Sequence, residues 1–344
     1  MDKKNIGFLL SLCDILPENC ADFILETGTE LATSTRLMYA RELNTFFHYL
    51  LFDNNKFMVK KLKEITLDDI RTITSQDISR YLTYLNDNQL AEKTIARRRA
   101  TLSRFFNYLV ANRKIPFNPV DAAVKVKIHK SDRLIYLDTK EQNSFITEVI
   151  DGKNLSERKQ TFHERYKLRD LAIVLLFLDT GIRVSELCGI NIGDFDFENN
   201  SVIVLRKGGN IQTVYFSDDT KEVLKNYHDA RMSKFQSSTL EDAFFVSLKA
   251  VRLSVRAIQL LVKKYAISTL PGKGQKITPH KLRSSFAMTF YGETSDLLAL
   301  KTKLNHSSFS VIDVYTKATD KQMYEYRNTT SEARVSESEE NSLE

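Results

Sequence analysis

The stretch "TPHKLRSS", residues 278–285, places a histidine and an arginine three positions apart, directly after a Thr-Pro pair. Thr278 can cap exposed N–H groups and Pro suits the first helical position, so a helix is predicted to begin here. Residues three apart share one helix face, which puts His280 beside Arg283. Such a pair is cationic and can transfer a proton, although a solvated helix start has the same pattern.

Four more residues have types that suit the same chemistry. Arg183 in "TGIRVSEL" follows a glycine predicted to end a helix, and Lys207 in "RKGG" is predicted to lie at a hairpin tip. His306 and Tyr315 stand nine residues apart in "LNHSSFSVIDVYTKA". Each of the four alone is compatible with an ordinary surface or packing role. Together, and in this order, they are much less compatible with chance.

In this order of residues the chain resembles the tyrosine recombinase family, also called the phage integrase family, and within it the simple bacterial Xer-type recombinases. The family has an arginine, a hairpin lysine, His-x-x-Arg, a histidine or tryptophan, and then a tyrosine. The matching positions are Arg183, Lys207, His280, Arg283, His306 and Tyr315. Glu186 matches the family's acidic position, and the resemblance extends from about residue 35 to residue 317.

The resemblance implies a DNA strand transferase that needs neither a metal nor a cofactor. Tyr315 would attack a phosphodiester and form a covalent 3′-phosphotyrosine, which preserves the bond energy for rejoining. The transition state gathers negative charge on the phosphate oxygens. Guanidinium groups bind such charge in a bidentate manner, so Arg183 and Arg283 are expected to clamp the phosphate.

The other matched residues receive supporting roles from the resemblance. A tyrosine with an ordinary pKa near 10 needs help to lose its proton, and by resemblance His280 assists. Lys207 would protonate the leaving 5′-oxygen. His306 would donate a hydrogen bond to the phosphate, and Glu186 would orient the arginine–histidine cluster.

Two places depart from the family pattern. Asn305 stands where the family usually has a glycine before the second histidine, and Ser284-Ser285 replaces the common His-Thr pair after the second arginine. Neither change removes a catalytic group. The expected effect is therefore on local geometry.

Helices and one small sheet are predicted to position these residues. Apolar residues recur at helical spacing in "TRLMYARELNTFFHYLL", "SQDISRYLTYL" and "AEKTIARRRATLSRFFNYLV". In the second half, a helix is predicted to be capped near Asp138 or Thr139, and "LAIVLLFLDTG" is predicted to be a buried helix ended by Gly181. Alternating runs in "FDF", "SVIVLR" and "IQTVYF" predict strands, with a hairpin turn at "KGGN". The predicted fold class is mainly α with a small antiparallel β-sheet.

The body of the chain is basic, which favours a polyanionic partner. The 344 residues carry 50 Lys and Arg against 44 Asp and Glu, a net charge of +6. Residues 332–344 hold five glutamates and one arginine, a net −4, so residues 1–331 carry +10. Nucleic acid is the first candidate for the partner, and a merely solubilising surface is an equal alternative.

Candidate DNA-binding residues lie on one helix and on the segment after it. The helix at "AEKTIARRRATLSRFFNYLV" has an apolar face and an opposite basic face, and the segment near residues 125–136 is basic without an apolar face. The candidates are Lys93, Arg97, Arg104, Lys125, Lys127 and Lys130. A solvated helix exterior and a charged, soluble linker remain the alternatives.

A chain of this length is expected to form two domains. We predict a helical N-terminal DNA-binding domain over residues 1–124, a basic linker over 125–136, a catalytic domain over 137–330 and a disordered acidic tail over 331–344. The resemblance implies a C-shaped clamp on double-stranded DNA. Two protomers would occupy each recombination site, and two sites would meet in a tetramer.

The predicted function is site-specific DNA recombination through a Holliday junction, for chromosome dimer resolution or for integration and excision of a mobile element. One alternative is a type IB topoisomerase, which shares the chemistry. Another is a DNA-binding protein that keeps the pocket without using it. A metal-dependent nuclease is less compatible, because Asp194 and Asp196 lack the further ligands of a two-metal site.

Cysteine usage and hydropathy predict a cytoplasmic protein without a membrane partner. Cys13, Cys20 and Cys188 have neither metal-ligand spacing nor a disulfide framework, which favours a reducing compartment. Asp14 interrupts the N-terminal apolar run and no cleavage site follows, so this run is predicted to be an amphipathic helix. No apolar run approaches the roughly 20 residues that a membrane span needs.

Overall fold

The structure is a computed structural model, which describes residues 2–53, 55–59, 61–125, 127, 134–206, 209–234 and 242–304. The chain divides into two compact units, residues 1–130 and 131–344. Each unit has its own hydrophobic core among these residues. None of the helices in the described ranges combines the length and the apolarity that a membrane crossing requires.

The N-terminal unit is built from helices around an aromatic core. Its α-helices are α1 (Asp2–Cys13), α2 (Glu18–Glu26), α3 (Thr33–His48), α4 (Leu67–Arg71), α5 (Ser75–Asp87) and α6 (Glu92–Ala111). Helix α6 buries Ile95, Leu102 and Phe106, the face that the apolar spacing predicted. The rings of Phe46 and Tyr81 meet edge to face in the core, with centroids 5.0 Å apart.

The C-terminal unit is also mainly helical. Its α-helices are α7 (Thr139–Asp151), α8 (Glu157–Thr180), α9 (Val184–Gly189), α10 (Asp218–Lys234), α11 (Val255–Thr269), α12 (Pro279–Thr294) and α13 (Leu297–Leu304). Asp138 caps α7, since its Oδ1 accepts a hydrogen bond from the Glu141 amide at 2.8 Å. Helix α8 ends at Gly181, whose φ of +61° is left-handed. Both helix ends lie where the sequence predicted them.

One small antiparallel sheet accompanies these helices. Its strands are β1 (Phe195–Asp196), β2 (Ser201–Leu205) and β3 (Ile211–Tyr215), and they pair in that order. In β2, Val202 and Val204 are buried, whereas Ile203 and Leu205 are exposed. The predicted fold class, mainly α with a small antiparallel sheet, is confirmed.

A buried carboxylate fastens α8 to α11. Asp170 in α8 accepts hydrogen bonds from the Tyr265 hydroxyl at 2.9 Å and from the Lys264 ammonium at 3.1 Å. The neighbouring Arg169 guanidinium also donates to it, at 2.7 Å. Because a buried charge is costly unless it is paired, these three donors keep the carboxylate in place and with it the helix that leads to Gly181.

Candidate active site

Arg183 is held at the start of α9 by a carboxylate three residues further on. Glu186 accepts the Arg183 backbone N–H at 2.7 Å and the Arg183 Nη1 at 2.8 Å. The Glu186 side chain is 2% exposed, whereas the Arg183 side chain is 35% exposed. Glu186 therefore holds both the backbone and the guanidinium of Arg183, while about a third of the Arg183 side chain remains exposed.

A second arginine shares the same carboxylate. Arg206 Nη1 donates to Glu186 Oε2 at 2.9 Å, and its side chain is 1% exposed. Burial alone would raise the pKa of Glu186, but hydrogen bonds from Arg183 and the charges of Arg206 and Arg183 bring that pKa below its ordinary value. Glu186 is therefore an ionised, buried carboxylate between two guanidinium groups.

Arg283, in the second turn of α12, is buried and holds two helix ends. Its Nη1 donates to the carbonyl of Gly181, and its Nη2 donates to the carbonyl of Leu304. The residue is 2% exposed. Arg283 thus ties the end of α8, next to Arg183, to the end of α13.

His280 lies one turn before Arg283 on α12. Partial desolvation lowers the pKa of His280 below its ordinary value, and the adjacent Lys281 lowers it further. The charges of Arg283 and Arg183 lower the pKa of His280 in the same direction. His280 and Arg283 share α12, and Arg283 donates to the carbonyl of Gly181, two residues before Arg183, so the three residues lie in one neighbourhood. The imidazole is neutral at pH 7 and can accept a proton.

The start of α12 agrees only in part with the prediction that Thr278 caps it and that Pro279 is its first residue. Thr278 occupies the position before the helix and Pro279 begins it, but the Thr278 hydroxyl makes no capping hydrogen bond, so that detail of the prediction is wrong. Ser284 donates to the His280 carbonyl at 3.1 Å. Ser285 accepts the Leu137 amide at 2.7 Å, which attaches α12 to the segment leading into α7. The departure from His-Thr thus supplies backbone contacts.

Glycine is the residue type that fits position 181, at the junction between α8 and Arg183. A Cβ at this position would meet the Phe286 ring at 2.3 Å, and the backbone is left-handed. Its carbonyl is also a partner of Arg283. The close approach of α12 to the end of α8 therefore depends on a glycine.

Gly181→Ala is expected to lower the free energy of unfolding by about 2 to 4 kcal/mol, from the left-handed backbone and the displaced ring together. Urea titration followed by circular dichroism measures this change. Gly193→Ala is the matched control, because no atom lies within 4 Å of its Cβ position. Equal stability of the two variants would contradict the role given to Gly181.

Several predicted site residues lie outside the described ranges. These are Lys130, Lys207, His306 and Tyr315, together with Asn305 and residues 331–344. The structure brings together Arg183, Glu186, His280 and Arg283 from the predicted set.

The candidate DNA-binding residues on α6 are exposed, but two of them have acidic partners. Lys93, Arg97 and Arg104 all lie on the surface of the helix. Arg97 Nε donates to Glu42 at 2.7 Å, and the Glu42 side chain is 6% exposed. Arg104 pairs at 3.2 Å with a glutamate that is itself exposed. Arg97 therefore has a structural partner in α3 that the sequence analysis did not foresee.

The structure describes two of the three linker candidates and both aspartates. Lys125 and Lys127 are exposed. Asp194 accepts the Asn191 amide at 2.7 Å, and Asp196 accepts the Glu198 amide at 3.0 Å, so both carboxylates stabilise local turns. Within the described residues, no group of three or more potential metal ligands is found.

Arg206 is the site residue that the sequence analysis missed. A signal for it exists in the strand pattern. Side chains alternate along a strand, so burial of Val202 and Val204 predicts that Arg206 also points inward. A charged residue at such a position needs a buried partner, and here the partner is Glu186.

Two family models match the chain, one in each unit. The model described as "Phage integrase family" matches residues 148–322, and "Phage integrase, N-terminal SAM-like domain" matches residues 23–113. The first match alone covers half of the chain. The chain therefore belongs to the phage integrase family, the tyrosine recombinases.

Similar proteins include Xer recombinases. The tyrosine recombinase XerC of Caldanaerobacter subterraneus subsp. tengcongensis is 31% identical over 95% of this chain and 90% of its own length. The tyrosine recombinase XerS of Lactococcus lactis subsp. cremoris is 27% identical over 82% of this chain and 86% of its own. The chain is thus a site-specific tyrosine recombinase of the Xer type, and the comparisons favour neither a topoisomerase nor a silent DNA-binding protein.

Solved structures agree on the fold. The Tn1549 transposon integrase in complex with circular intermediate DNA has a TM-score of 0.65 at 19% identity, over 88% of this chain and 94% of that one. XerH bound to its difH substrate has a TM-score of 0.60 at 20% identity, over 83% of this chain and 77% of that one.

Proposed function

We propose that this recombinase cleaves and rejoins double-stranded DNA at a specific site, through a covalent 3′-phosphotyrosine and a Holliday junction. The observation that carries the proposal is the arrangement of Arg183, His280 and Arg283 around the junction of α8 and α9. Two guanidinium groups and a neutral imidazole lie in one neighbourhood, on elements fixed by buried hydrogen bonds. This combination suits a phosphate that gains negative charge while a nearby hydroxyl loses a proton.

The reaction assigns one role to each cationic group near the phosphate. Arg183 and Arg283 neutralise the non-bridging oxygens, because guanidinium groups remain charged and donate in pairs. Glu186 orients Arg183, as its two hydrogen bonds to that residue indicate. His306 donates a further hydrogen bond to the phosphate.

Strand cleavage replaces the bond from phosphorus to a sugar oxygen with a bond from phosphorus to the phenol oxygen. The Tyr315 oxygen bonds to phosphorus as its proton passes to His280, and the bond from phosphorus to the 5′-oxygen breaks. Lys207 gives a proton to that leaving oxygen. Attack by a 5′-hydroxyl on the phosphotyrosine then reverses these steps and rejoins the strand, so the bond energy is retained.

We assign DNA binding to both units and to the segment between them. The proposed domains are residues 1–124 for core binding, 125–136 for the linker, 137–330 for catalysis and 331–344 for the acidic tail. Support comes from the basic residues on α6 and from two similar structures, the Tn1549 integrase with circular intermediate DNA and XerH with difH. The protomers are proposed to pair on one site and to form a tetramer when two sites meet. A location in the cytoplasm is proposed from cysteine usage.

The proposal is tested by trapping the covalent intermediate. Duplexes that bind the chain are selected from a randomised library, nicked at successive positions and incubated with the protein in EDTA. A protein–DNA adduct that survives denaturing electrophoresis is expected. Exchange of strands between two labelled duplexes is expected as well, whereas relaxation of a supercoiled plasmid without exchange would indicate a topoisomerase. Absence of any adduct would contradict the proposal.

Lys93→Ala is expected to weaken DNA binding alone, whereas Arg97→Ala is expected to weaken DNA binding and stability. Lys93→Ala should weaken DNA binding and reduce the slope of log affinity against log salt by about 0.9, the value for one lost phosphate contact. Arg97→Ala should also lower the melting temperature, because the buried Glu42 loses a hydrogen-bonded partner, at a cost of about 1 to 3 kcal/mol.

Arg104→Ala is the control for the Arg97 variant. Its partner Glu30 is exposed, and an exposed ion pair contributes only about 0 to 1 kcal/mol. Filter binding over a salt series and thermal melting provide the two measurements. An Arg97→Ala protein that melts with the Arg104→Ala protein would show that the contact with Glu42 does not stabilise the helix.

A further inference from the structure

Arg206 connects three elements of the catalytic unit from a buried position. Its Nη1 donates to Glu186 in α9 at 2.9 Å, and its Nε donates to the Gln212 side chain in β3 at 2.9 Å. Its Nη2 donates to the Lys303 carbonyl in α13 at 3.2 Å. Each nitrogen of the guanidinium is therefore bound to a different element, which fixes the plane of the group.

The backbone of Arg206 also closes the hairpin that carries the predicted catalytic lysine. Its N–H donates to the Asn210 carbonyl at 2.7 Å, and its own carbonyl accepts the Gly209 amide at 3.2 Å. Lys207 is the next residue in the sequence. The start of the hairpin turn is thus held by both the main chain and the side chain of Arg206.

The shared carboxylate links Arg206 to the charge of Arg183. Glu186 Oε1 accepts Arg183 Nη1 at 2.8 Å, whereas Oε2 accepts Arg206 Nη1 at 2.9 Å. Two guanidinium groups and one carboxylate leave one net positive charge in this cluster. Arg206 is 1% exposed and Arg183 is 35% exposed, so Arg183 is the one of these two guanidinium groups that reaches the surface.

We propose that Arg206 is a positioning residue for strand cleavage, which acts by sharing Glu186 with Arg183 and by fixing the residues next to Lys207 and near His306. The inference rests on the proposed function. Glu186 Oε2 also accepts the Arg183 backbone N–H, so without Arg206 this carboxylate is held only from the Arg183 side and no longer fixes the Arg183 guanidinium against the hairpin. The carbonyl of Lys303, three residues before His306, loses its donor at the same time.

The expected result for Arg206→Gln is slower cleavage with unchanged DNA binding. Loss of a residue that orients a catalytic group typically costs about 10- to 100-fold in activity. Single-turnover adduct formation on the selected nicked duplexes measures cleavage, and gel shift on the same duplexes measures binding. Arg206→Lys retains a charge near Glu186 but not the fork, so an intermediate rate is expected.

Arg252→Gln is the matched control for a purely structural effect. Arg252 donates to the carbonyls of Cys188 and Ile190 at 2.9 and 3.2 Å, so its described contacts hold the other end of α9 and do not include Glu186. This variant is expected to lower the melting temperature while cleavage continues near the wild-type rate. If Arg206→Gln cleaves at the wild-type rate, or no more slowly than Arg252→Gln, the inference is overturned.

A double variant tests the route through Glu186. Combined with Glu186→Gln, the Arg206→Gln substitution is expected to add less loss than it causes alone, because the contact to Arg183 is already weakened and only the contacts to Gln212 and the Lys303 carbonyl remain to be lost. Losses that simply multiply would show that Arg206 acts independently of Glu186. The wild-type chain and Tyr315→Phe run in parallel: lack of a Tyr315-dependent adduct in the wild type contradicts the proposed function, whereas normal cleavage by Arg206→Gln contradicts only this inference.

Discussion

Tyr315→Phe is expected to abolish the covalent protein–DNA adduct completely. The phenol oxygen is the atom proposed to bond to phosphorus, and phenylalanine has no atom to replace it. DNA binding should be unchanged, since the ring is retained. The measurement is denaturing electrophoresis of nicked duplexes after incubation with each protein, together with gel shift on the same duplexes.

Other tyrosines provide the controls for this prediction. Tyr291 lies in α12 and packs against the cluster around Phe286, so Tyr291→Phe should form the adduct at nearly the wild-type rate. Tyr324→Phe and Tyr326→Phe test the two tyrosines that follow Tyr315 in the sequence. An adduct formed by the Tyr315→Phe protein would assign the nucleophile to another residue.

Arg283→Lys is expected to lose both cleavage and stability. A lysine cannot reach the carbonyls of Gly181 and Leu304 and a phosphate with one ammonium group, because it lacks the planar fork. Cleavage should fall by about two to three orders of magnitude, as for loss of one transition-state donor. The free energy of unfolding should fall by about 1 to 3 kcal/mol through the buried carbonyls left without a donor.

Arg183→Lys separates the two effects. Arg183 is one-third exposed, and Glu186, the partner described for it, still pairs with Arg206 when Arg183 is replaced. This variant should therefore lose cleavage with little loss of stability. Urea unfolding and single-turnover cleavage are compared for the two lysine variants. A wild-type unfolding free energy for Arg283→Lys would show that its carbonyl contacts contribute nothing to the fold.

The elements around the site could be predicted because their signals are local. The end of α8 at Gly181 and the cap of α7 at Asp138 depend on residue types within a few positions. The alternation in β2 and the apolar face of α6 are likewise short-range patterns. The order of the candidate residues predicted the family, and the two family models that match the chain agree with that prediction.

Partners that are distant in the sequence could not be predicted in this way. Glu42 and Arg97 are 55 positions apart, and Arg283 is 102 positions from the carbonyl of Gly181. No local spacing records such contacts, because they arise only when helices pack. The Thr278 hydroxyl shows the opposite failure, since a favourable residue type occupied the right position without making the expected bond.

The two carbonyls bound by Arg283 bear on how inactive relatives should be recognised. A relative that no longer cuts DNA would still need a buried donor for the ends of α8 and α13. Substitution of the arginine at position 283 would therefore be selected against because it impairs folding, even without any need for cleavage. An arginine there would then report an intact scaffold, much as a buried leucine does. Whether such a gene product still cuts DNA would be judged better from the tyrosine, whose hydroxyl is the atom proposed to bond to phosphorus.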